Sequence, residues 1–412
     1  MLINKNTFSN KLLNKYIYWS GIITLLFILI TSYVNYVNKH FPEQIYITEQ
    51  SDTSINLSLP VTGSVHDTQN GTDNSLANAD FSREVTFITG SPGSYHIDLH
   101  LFGFLFLKTV NVNVVDEKYV YPCGFQAGLY LKSSGILVVK TDSIESKSSG
   151  TITPCENIIT KGDYILKIND EEINSKKQLS CKVNECAGEK LNIELLRNDE
   201  TINVTVTPVE WVKDDAQGIG TITYIDTDYN YAALGHPITD NTTGKALNIK
   251  YGRLYNTRIL SIIKGQNGTP GELQGIIDYK NSTPIGTIDK NSSYGIYGTI
   301  DNSIVKKHSL SLMSVGYRYS VHKGKAYVRF YRNNKYDDYE IKITQLNNND
   351  SKNISFVVTS EELLDMTNGI VQGMSGCPII QDGKIIGAVT HVLIDDSRSG
   401  YGIYIENMLN AS

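Results

Sequence analysis

The sequence predicts a mainly β protein with a single membrane-spanning helix at its N-terminus. Three observations lead to this fold class. Residues 16–38 contain no charged side chain, apolar and polar residues alternate from residue 95 onward, and short apolar runs between Gly, Asn and Asp turns fill residues 211–412. Alternation has the period of half-buried strands, and closely spaced turns with few long helical windows are typical of β-sandwiches and β-barrels.

The composition limits the classes of function. The chain has 412 residues, of which 40% are hydrophobic and 19% charged, a globular composition that suggests two or three domains. The formal net charge is −6 and the isoelectric point is near 5.8. This acidic balance lacks the basic surface that nucleic-acid binding requires, so we expect no nucleic-acid partner.

Residues 1–40 are expected to form a cytoplasmic tip and a signal anchor that stays uncleaved. The uncharged segment Tyr16–Asn38 is longer than the about 20 residues that span a bilayer. Three lysines precede it and only Lys39 follows closely, so the positive-inside rule places the N-terminus in the cytoplasm and the remaining chain outside. A cleaved signal peptide is the alternative, but the apolar run is long for one and no A-x-A site follows it.

The cysteines are few and widely spaced. An odd number leaves at least one unpaired within the chain, and the close pair lacks the companion Cys or His pair that a zinc site needs. We therefore expect no metal site, no cofactor and no disulfide on which the fold depends. The five positions are Cys123, Cys155, Cys181, Cys186 and Cys377.

Residues 41–94 are expected to be a polar linker or loose strands. They are rich in Ser, Thr, Asn, Asp and Gly and contain few large apolar residues. Regular β-structure is expected from residue 95, because Tyr95–Phe102 and Thr109–Val114 alternate apolar and polar side chains. These strands begin the domain expected at residues 95–210, which we expect to contain a further folded module after them.

The second part of that region resembles a circularly permuted PDZ domain. Its elements are a Gly-containing turn, the apolar strand Gly135–Val139, a G-D-x-I segment at Gly162–Asp170, a short helix near 175–183, and strands at 190–197 and 200–206. The resemblance implies that a peptide tail adds a strand to an open sheet edge while turn N–H groups receive its carboxylate. A rigid spacer, or a holder for an internal segment, is the alternative. The receiving loop would consist of Gly124, Phe125, Gln126, Ala127, Gly128 and Leu129.

The loop Gly373–Pro378 carries the clearest chemical pattern, G-M-S-G-C-P followed by a hairpin. A G-x-S-G-x-P turn is typical of the nucleophile loop of chymotrypsin-like serine proteases. Its glycines allow a tight turn that directs main-chain N–H groups into one small space. The pattern predicts that Ser375 Oγ is the nucleophile and that the N–H groups of Gly373 and Ser375 form the oxyanion hole. A structural hairpin turn is the alternative.

A serine nucleophile needs a base, and His236 is the best candidate. It lies in Leu234-Gly235-His236-Pro237 at the end of a predicted strand, and imidazole has the pKa suited to accept the serine proton. The order His before Ser is that of chymotrypsin-like double barrels. His391 is the competitor, and we interpret it as a packed histidine within a strand.

From about residue 95 the chain resembles the SpoIVB peptidases, the stage IV sporulation serine proteases. The domain order agrees with this family, because the PDZ-like segment comes before the protease segment. In high-temperature-requirement proteases the PDZ domain follows the protease. The residues that carry the resemblance are Leu101–Gly103, Lys108–Val110, Leu234–Pro237, Gly268–Leu273, Gly369–Gly376 and Gly387–Val392.

The resemblance implies a function in signalling between two membranes. Such an enzyme is anchored in the forespore membrane, with its catalytic domain in the intermembrane space. It cleaves itself and then a membrane-embedded regulator of an intramembrane metalloprotease, so that a late mother-cell sigma factor matures. The domain expected for this activity is a double β-barrel at 211–412.

One position departs from the family. The third catalytic residue of the family is an Asp, and the ungapped match places Ser360 there. An orienting carboxylate selects the histidine tautomer, and its loss costs about 10⁴ in rate. We expect a His236–Ser375 dyad with a displaced or missing third member, or alternatively an impaired PDZ-bearing scaffold that binds without cutting. Carboxylates that could substitute are Asp365, Glu361 and Glu362 nearby, and Asp278, Asp289 and Asp301 at the spacing of chymotrypsin-like chains.

Overall fold

The computed structural model describes residues 5–40, 42–49, 52–56, 60–67, 75–88, 92–139, 144–146, 150–152, 158–185, 189–206, 212–240, 244–266, 268–277, 279, 283–347, 352–393 and 396–412. Within these ranges the fold is mainly β, as predicted. The chain divides into two compact units, Met1–Glu117 and Lys118–Ser412.

The first unit contains the longest helix and the first seven strands that the structure describes. They are α1 (Lys5–His40), β1 (Gln44–Thr48), β2 (Asp52–Asn56), β3 (Val61–Asp67), β4 (Ser75–Asp80), β5 (Glu84–Ile88), β6 (Gly93–Leu101) and β7 (Leu105–Val115).

The second unit contains the remaining elements. Its helices are α2 (Lys176–Glu185), α3 (Ser303–Lys307), α4 (Glu361–Thr367) and α5 (Ile405–Ala411), with a short 3₁₀ turn at Arg318–Ser320. Its strands are β8 (Tyr119–Pro122), β9 (Gln126–Val138), β10 (Ile144–Ser146), β11 (Gly150–Ile152), β12 (Tyr164–Ile168), β13 (Glu171–Glu172), β14 (Leu191–Arg197), β15 (Glu200–Val206), β16 (Val212–Ile225), β17 (Asn230–Ala233), β18 (Ile249–Ile263), β19 (Glu272–Ile277), β20 (Gly286–Ile288), β21 (Lys290–Ser292), β22 (Gly295–Thr299), β23 (Met313–Ser314), β24 (Gly324–Arg332), β25 (Lys335–Leu346), β26 (Ile354–Val358), β27 (Pro378–Gln381), β28 (Lys384–Val392) and β29 (Ser399–Tyr404).

Helix α1 includes the apolar segment that the sequence singles out. Lys15–Asn38 is long and apolar enough to cross a membrane, on length and composition. Pro42 follows two residues after the helix ends, where proline disfavours helical geometry in the residue before it. The expectation of one N-terminal apolar helix is confirmed.

The expected polar linker at 41–94 is instead largely β-structure wherever the structure describes it. Strands β1, β3 and β4 join β6 and β7 in a sheet of order β1-β7-β6-β3-β4, and β2 pairs with β5. The sequence did not reveal these strands, because their core consists of a few widely spaced residues. Ile45, Ile47, Val61 and Phe81 are at most 1% exposed, among long polar stretches.

The second unit contains a half-barrel and a closed barrel, consistent with a double β-barrel protease. Strands β24, β25, β26, β29, β28 and β27 close the second barrel, around buried apolar side chains such as Phe330, Phe356 and Ile379. The half-barrel belongs to a 14-stranded sheet that includes β9, β16, β17 and β22, and its core includes Phe125, Leu129 and Tyr231.

A small module within the second unit has its own core. The second half of β9, with β12, α2, β14 and β15, surrounds Ile136, Ile168 and Leu195. Asp163, of the G-D-x-I segment, is buried and accepts two hydrogen bonds from Arg197, at 2.8 Å from Nε and 2.6 Å from Nη2. Burial acts to raise the pKa of Asp163, but the bonds from Arg197 and Thr160 outweigh it and hold this pKa below its usual value.

The two domain boundaries expected at residues 94 and 210 do not coincide with boundaries in the structure. Strands β6 and β7 belong to the first unit, and the second unit begins at Lys118. Strand β16 pairs with β9 along most of its length, so one sheet runs through the expected boundary near residue 211. The module and the half-barrel share strand β9.

Candidate active site

Ser375 lies in the turn that leads into β27 of the closed barrel. Gly373 and Gly376 in this turn have φ values of 98° and 97°, a region that residues with a side chain rarely adopt. A Cβ atom at position 376 would lie 2.1 Å from the carbonyl oxygen of Thr221 and 2.6 Å from the backbone nitrogen of Leu234. Glycine at 376 therefore lets the turn pack directly against β16.

Every carbonyl oxygen of residues 372–375 accepts a hydrogen bond. Leu273 N–H donates to the Gln372 oxygen at 2.9 Å and Cys377 N–H to the Met374 oxygen at 2.9 Å. Thr221 supplies the other two, from Oγ1 to the Gly373 oxygen at 2.6 Å and from N–H to the Ser375 oxygen at 3.3 Å. These four bonds fix the orientation of successive peptide planes.

The N–H groups of the same turn divide into two sets. Those of Gln372, Met374 and Gly376 donate to backbone carbonyls, whereas those of Gly373 and Ser375 have no acceptor among the described residues. A trans peptide directs its C=O and N–H to opposite sides, so the bonds to the 372 and 374 carbonyls also fix these two donors. The unpaired pair is the one that the sequence assigned to an oxyanion hole.

The Ser375 hydroxyl donates to the Thr390 carbonyl oxygen at 2.8 Å. No hydrogen bond joins Ser375 to His236 in the part of the chain that the structure describes. Rotation about χ1 would release the hydroxyl from Thr390, and catalytic hydrogen bonds commonly form only once a substrate is bound.

His236 follows β17 in a turn that two residues with positive φ create, Leu234 and Gly235, both at 71°. Beyond it, the Asn291 side chain accepts from Ile238 N–H at 2.9 Å and donates to the Ile238 and Leu247 carbonyls at 2.9 Å. This amide holds the chain on the C-terminal side of His236 in place.

The ring of His236 has a defined tautomer. Its Nδ1 lies 2.8 Å from the carbonyl oxygen of Pro237. A carbonyl only accepts hydrogen bonds, so Nδ1 carries the proton and Nε2 keeps its lone pair. Burial lowers the pKa of His236 below its usual value, although the bond to Pro237 acts in the opposite direction. His236 is therefore a neutral base at neutral pH.

His391 is a neighbour of His236 rather than a packed histidine of the sheet. The two ring centroids are 5.3 Å apart with planes at 39°, and His391 is partly exposed rather than packed inside the sheet. Desolvation, together with repulsion from His236 when that ring is charged, lowers the pKa of His391 to about 4. The interpretation of His391 as a packed sheet residue is wrong.

His236, Ser375 and Gly373 line one cavity of about 310 Å³, together with Leu129 and Gln372. His236 comes from the half-barrel and Ser375 from the turn before the closed barrel. The residues that carry a base, a hydroxyl and two unpaired backbone donors thus line one concave space.

A family match covers the segment that carries His236, Gly373 and Ser375. Residues 209–409 match the family model described as SpoIVB peptidase S55. This segment is a SpoIVB peptidase domain. A solved structure titled the crystal structure of the Rv3671c protease, inactive form, is similar over 47% of this chain and 81% of that chain, with 11% identity and a TM-score of 0.25. No curated protein matches the chain.

The SpoIVB peptidase domain has no carboxylate hydrogen-bonded to His236 among the described residues, where the Nδ1 contact is the Pro237 carbonyl. Ser360 caps helix α4, accepting from Leu363 N–H at 3.3 Å. Glu361 lies in the first turn of α4, whereas Glu362 and Asp365 line a different cavity. The remaining candidates are also elsewhere: Asp289 accepts from Thr287, Asp301 accepts from Ser303 N–H, and Asp278 lies outside the described residues.

The loop expected to receive a peptide, residues 124–129, lies in the SpoIVB half-barrel instead. Gln126–Leu129 belong to strand β9, which pairs with β16 on one side and with β18 on the other. Phe125, Ala127 and Leu129 are part of the half-barrel core. The expectation of an open edge at this loop is not met, because two strands already occupy both edges.

The cysteine beside the nucleophile is a packing residue. Cys377 is fully buried in the closed-barrel core, and burial raises the pKa of its thiol to about 12. Cys123, Cys181 and Cys377 are unpaired, while Cys155 and Cys186 lie outside the described residues.

Sequence reasoning missed two residues that position this site, Thr221 and Asn291, and misjudged a neighbour of the base, His391. Thr221 binds both loops, since its carbonyl also accepts from Leu234 N–H at 3.2 Å. The position of Thr221 in an alternating strand does not indicate that it binds both loops, and Asn291 has the sequence context of an ordinary turn residue. For His391, the signal available was its place at the end of the hairpin that follows the nucleophile.

Proposed function

We propose that this peptidase is a serine endopeptidase in which Ser375 is the nucleophile and His236 the general base. Ser375 Oγ attacks the scissile carbonyl while His236 Nε2 takes its proton. The N–H groups of Gly373 and Ser375 bind the developing oxyanion. His236 then gives the proton to the leaving amine, which leaves an acyl-enzyme on Ser375 Oγ. Water, deprotonated by His236, attacks this ester, the bond to Oγ breaks and takes back the proton, and the acid product is released.

The observation that carries this proposal is the pair of unpaired N–H groups at Gly373 and Ser375. Most backbone N–H groups of a folded protein are bonded within it or to water, and Gly373 and Ser375 are only partly exposed. Here the neighbouring donors and all four carbonyls of residues 372–375 are bonded. A turn with only a structural role would have no need to keep these two donors together.

The Pro237 carbonyl takes over one task of the missing carboxylate. It fixes the His236 tautomer with Nδ1–H, which is the orientation that a catalytic aspartate selects. It carries no full charge, so it stabilises the imidazolium less than an aspartate does. We therefore propose a His236–Ser375 dyad that has lower turnover than a complete triad.

We further propose that α1 anchors the enzyme in the forespore membrane with its catalytic domain in the intermembrane space. The support is the apolar segment Lys15–Asn38 and the match to the SpoIVB family. On the family resemblance, the substrates are the chain itself and a membrane-embedded regulator of an intramembrane metalloprotease, whose cleavage leads to maturation of a late mother-cell sigma factor.

A peptide partner for the PDZ-like module also belongs to this proposal. With both edges of β9 occupied, the outer strand of the module sheet is β15, where a peptide could add a strand. A synthetic peptide with the C-terminus of the regulator should compete with the regulator for the full chain. Absence of competition would restrict the module to a spacer.

Labelling with a fluorophosphonate tests the serine mechanism directly. The full chain in vesicles should form a covalent adduct and produce self-cleavage fragments on a gel, and Ser375→Ala should do neither. His236→Gln should reduce both rates by orders of magnitude, because the base is lost. His322→Gln is the matched control, since His322 is exposed, binds Asp382 and is not among the residues that line the cavity.

A binding scaffold that does not cut is the second candidate. It is favoured by the hydrogen bond from Ser375 Oγ to the Thr390 carbonyl and by the missing carboxylate at His236. In that case wild type and Ser375→Ala would both stay intact and unlabelled, yet both would retain the regulator in a pull-down. Labelling of the wild type alone excludes the scaffold.

A further inference from the structure

Three side chains that commonly bind metals lie together on the sheet of the first unit. His66 in β3 is directly opposite His96 in β6, and Asp98 follows two residues later on the same face. One ligand atom from each lies within 4.8 Å of the other two. The opposite face of β6 carries Ile97 and Leu99, which are fully buried.

The three groups are partly preorganised. The imidazole rings are 4.9 Å apart with planes at 4°, and His66 Nε2 lies 3.9 Å from Asp98 Oδ2. Thr109 from β7 donates to the other Asp98 oxygen, which fixes the carboxylate in the way that hydrogen-bonded neighbours orient metal ligands. All three side chains are half-buried, so an ion would be partly shielded from solvent.

We propose that His66, His96 and Asp98 bind a divalent transition-metal ion of the zinc type. Two imidazole nitrogens and one carboxylate oxygen suit Zn²⁺ and its neighbours, whereas Mg²⁺ and Ca²⁺ prefer oxygen ligands alone. The remaining positions would be open to water. The expectation of no metal came from cysteine spacing, and this cluster contains no cysteine. The ion would link β3 to β6 and stabilise the first unit.

Cobalt absorption and zinc calorimetry on the full chain test this site. His66→Ala should remove one bound ion per chain or weaken its binding by at least 100-fold. Asp98→Asn, which keeps the shape of the side chain, should weaken it by at least 10-fold. A chelator should lower the unfolding temperature of the wild type but not that of Asp98→Asn.

The matched control is His322→Ala, which removes an exposed histidine that binds one carboxylate, Asp382, at 2.7 Å. Its binding stoichiometry should be unchanged. Equal losses in His322→Ala and His66→Ala would mean adventitious binding to surface histidines and would overturn the proposal. Unchanged stoichiometry together with unchanged affinity in both His66→Ala and Asp98→Asn would overturn it as well.

A second, independent observation concerns the hairpin between β6 and β7, whose tip exposes aromatic side chains. Phe102, Phe104 and Phe106 are 70%, 78% and 55% exposed, and Leu105 between them is 36% exposed. Phe102 and Gly103 have positive φ values, which closes the turn tightly. A cluster of this kind is unlike the single apolar residues scattered over most surfaces.

The hairpin tip extends toward the end of α1. Strand β1 runs parallel to β7 with Gln44 opposite Asn111. The helix α1 ends four residues before Gln44, and Leu107, next to Phe106, lies four residues before Asn111. Helix α1 also contacts β7. The exposed phenylalanines thus lie on the side of the sheet where the apolar helix ends.

We propose that this tip, residues 102–106, inserts into the interface of the bilayer that α1 crosses. The proposal rests on the proposed membrane anchor. Aromatic side chains favour the interfacial layer, and a second contact beside a spanning helix would hold the first unit against the membrane surface.

Quenching of tryptophan fluorescence by acyl-chain bromolipids tests the tip. Three versions of the full chain, each with a single tryptophan and each carrying Trp211→Phe, are compared in vesicles. The first keeps the native Trp19 in α1. The other two carry Trp19→Phe together with either Phe104→Trp or Leu76→Trp. Leu76 is exposed in β4, about 15 Å from the tip along the strands. We expect strong quenching at 19 and 104 and little at 76.

The outcomes separate the two proposals. Quenching at 19 without quenching at 104 would overturn the tip and leave the anchor standing. No quenching at 19 would overturn the anchor itself. Equal quenching at 104 and 76 would also refute the tip, because the contact would then not be specific to the hairpin.

Discussion

Thr221 binds both loops of the candidate site, so its substitution can perturb them without changing a residue of the proposed dyad. Its Oγ1 donates to the Gly373 carbonyl at 2.6 Å, and its backbone binds Ser375 and Leu234. Thr221→Val keeps the size of the side chain and all backbone bonds but removes the hydroxyl. The variant therefore removes the hydroxyl's hydrogen bond to the Gly373 carbonyl, together with its contact to the Cys377 thiol.

The magnitude follows from the burial of the two groups. Thr221 is fully buried and Gly373 is partly buried, so the freed carbonyl recovers some hydration. A buried acceptor left without its donor costs about 1–3 kcal/mol. We therefore expect Thr221→Val to lower the free energy of unfolding by about 1.5 kcal/mol. If the turn moves to hydrate the freed Gly373 carbonyl, the N–H groups of Gly373 and Ser375 move with it. The self-cleavage rate should therefore fall about 10-fold.

Thr223→Val is the matched control in the same strand. Thr223 is also fully buried, and its Oγ1 has no hydrogen-bond partner among the described residues. Its replacement should leave the self-cleavage rate unchanged and the unfolding free energy equal or higher. Urea unfolding and self-cleavage on a gel measure both quantities. Equal effects of the two substitutions on stability and rate would refute the reasoning.

Three further predictions concern the turn, the module and the base. Gly376→Ala should abolish self-cleavage, because its Cβ would lie 2.1 Å from a carbonyl oxygen, whereas Gly383→Ala, with open space around it, should cost only about 1–2 kcal/mol of strain. Asp163→Asn should lower the unfolding free energy by about 2 kcal/mol in urea titrations, less than for a sealed pair because Arg197 is partly exposed. Self-cleavage should decline as the pH falls through the lowered pKa of His236, so a midpoint at or above 6.5 in the pH–rate profile would contradict its burial.

The catalytic loops were predictable because their chemistry is local in sequence. The glycines of the Ser375 turn and the strand end before His236 are visible in single short segments, and the structure brings both to one cavity. Thr221 and Asn291 act through contacts across the sheet, at separations of 152 and 53 residues. No pattern along the chain specifies such pairings.

The fold errors have a similar cause. The strands of residues 44–88 were missed because their buried residues, such as Ile45 and Val61, are sparse among polar ones. The loop at 124–129 was misjudged because a fully buried strand and a Gly-rich binding loop both give a run of small and apolar residues. Which of them forms is decided by β16 and β18, which pair with β9 from far along the chain.

The missing carboxylate has a physical consequence for how the base functions. A catalytic aspartate both selects the histidine tautomer and stabilises the imidazolium formed when serine gives up its proton. The Pro237 carbonyl supplies the first effect through Nδ1–H, but its dipole supplies only part of the second. His391, kept neutral by its pKa of about 4, adds no competing charge beside His236. In the proposed mechanism the base is therefore held ready for proton transfer while the charged intermediate is stabilised weakly, and we expect a lower turnover than a complete triad gives.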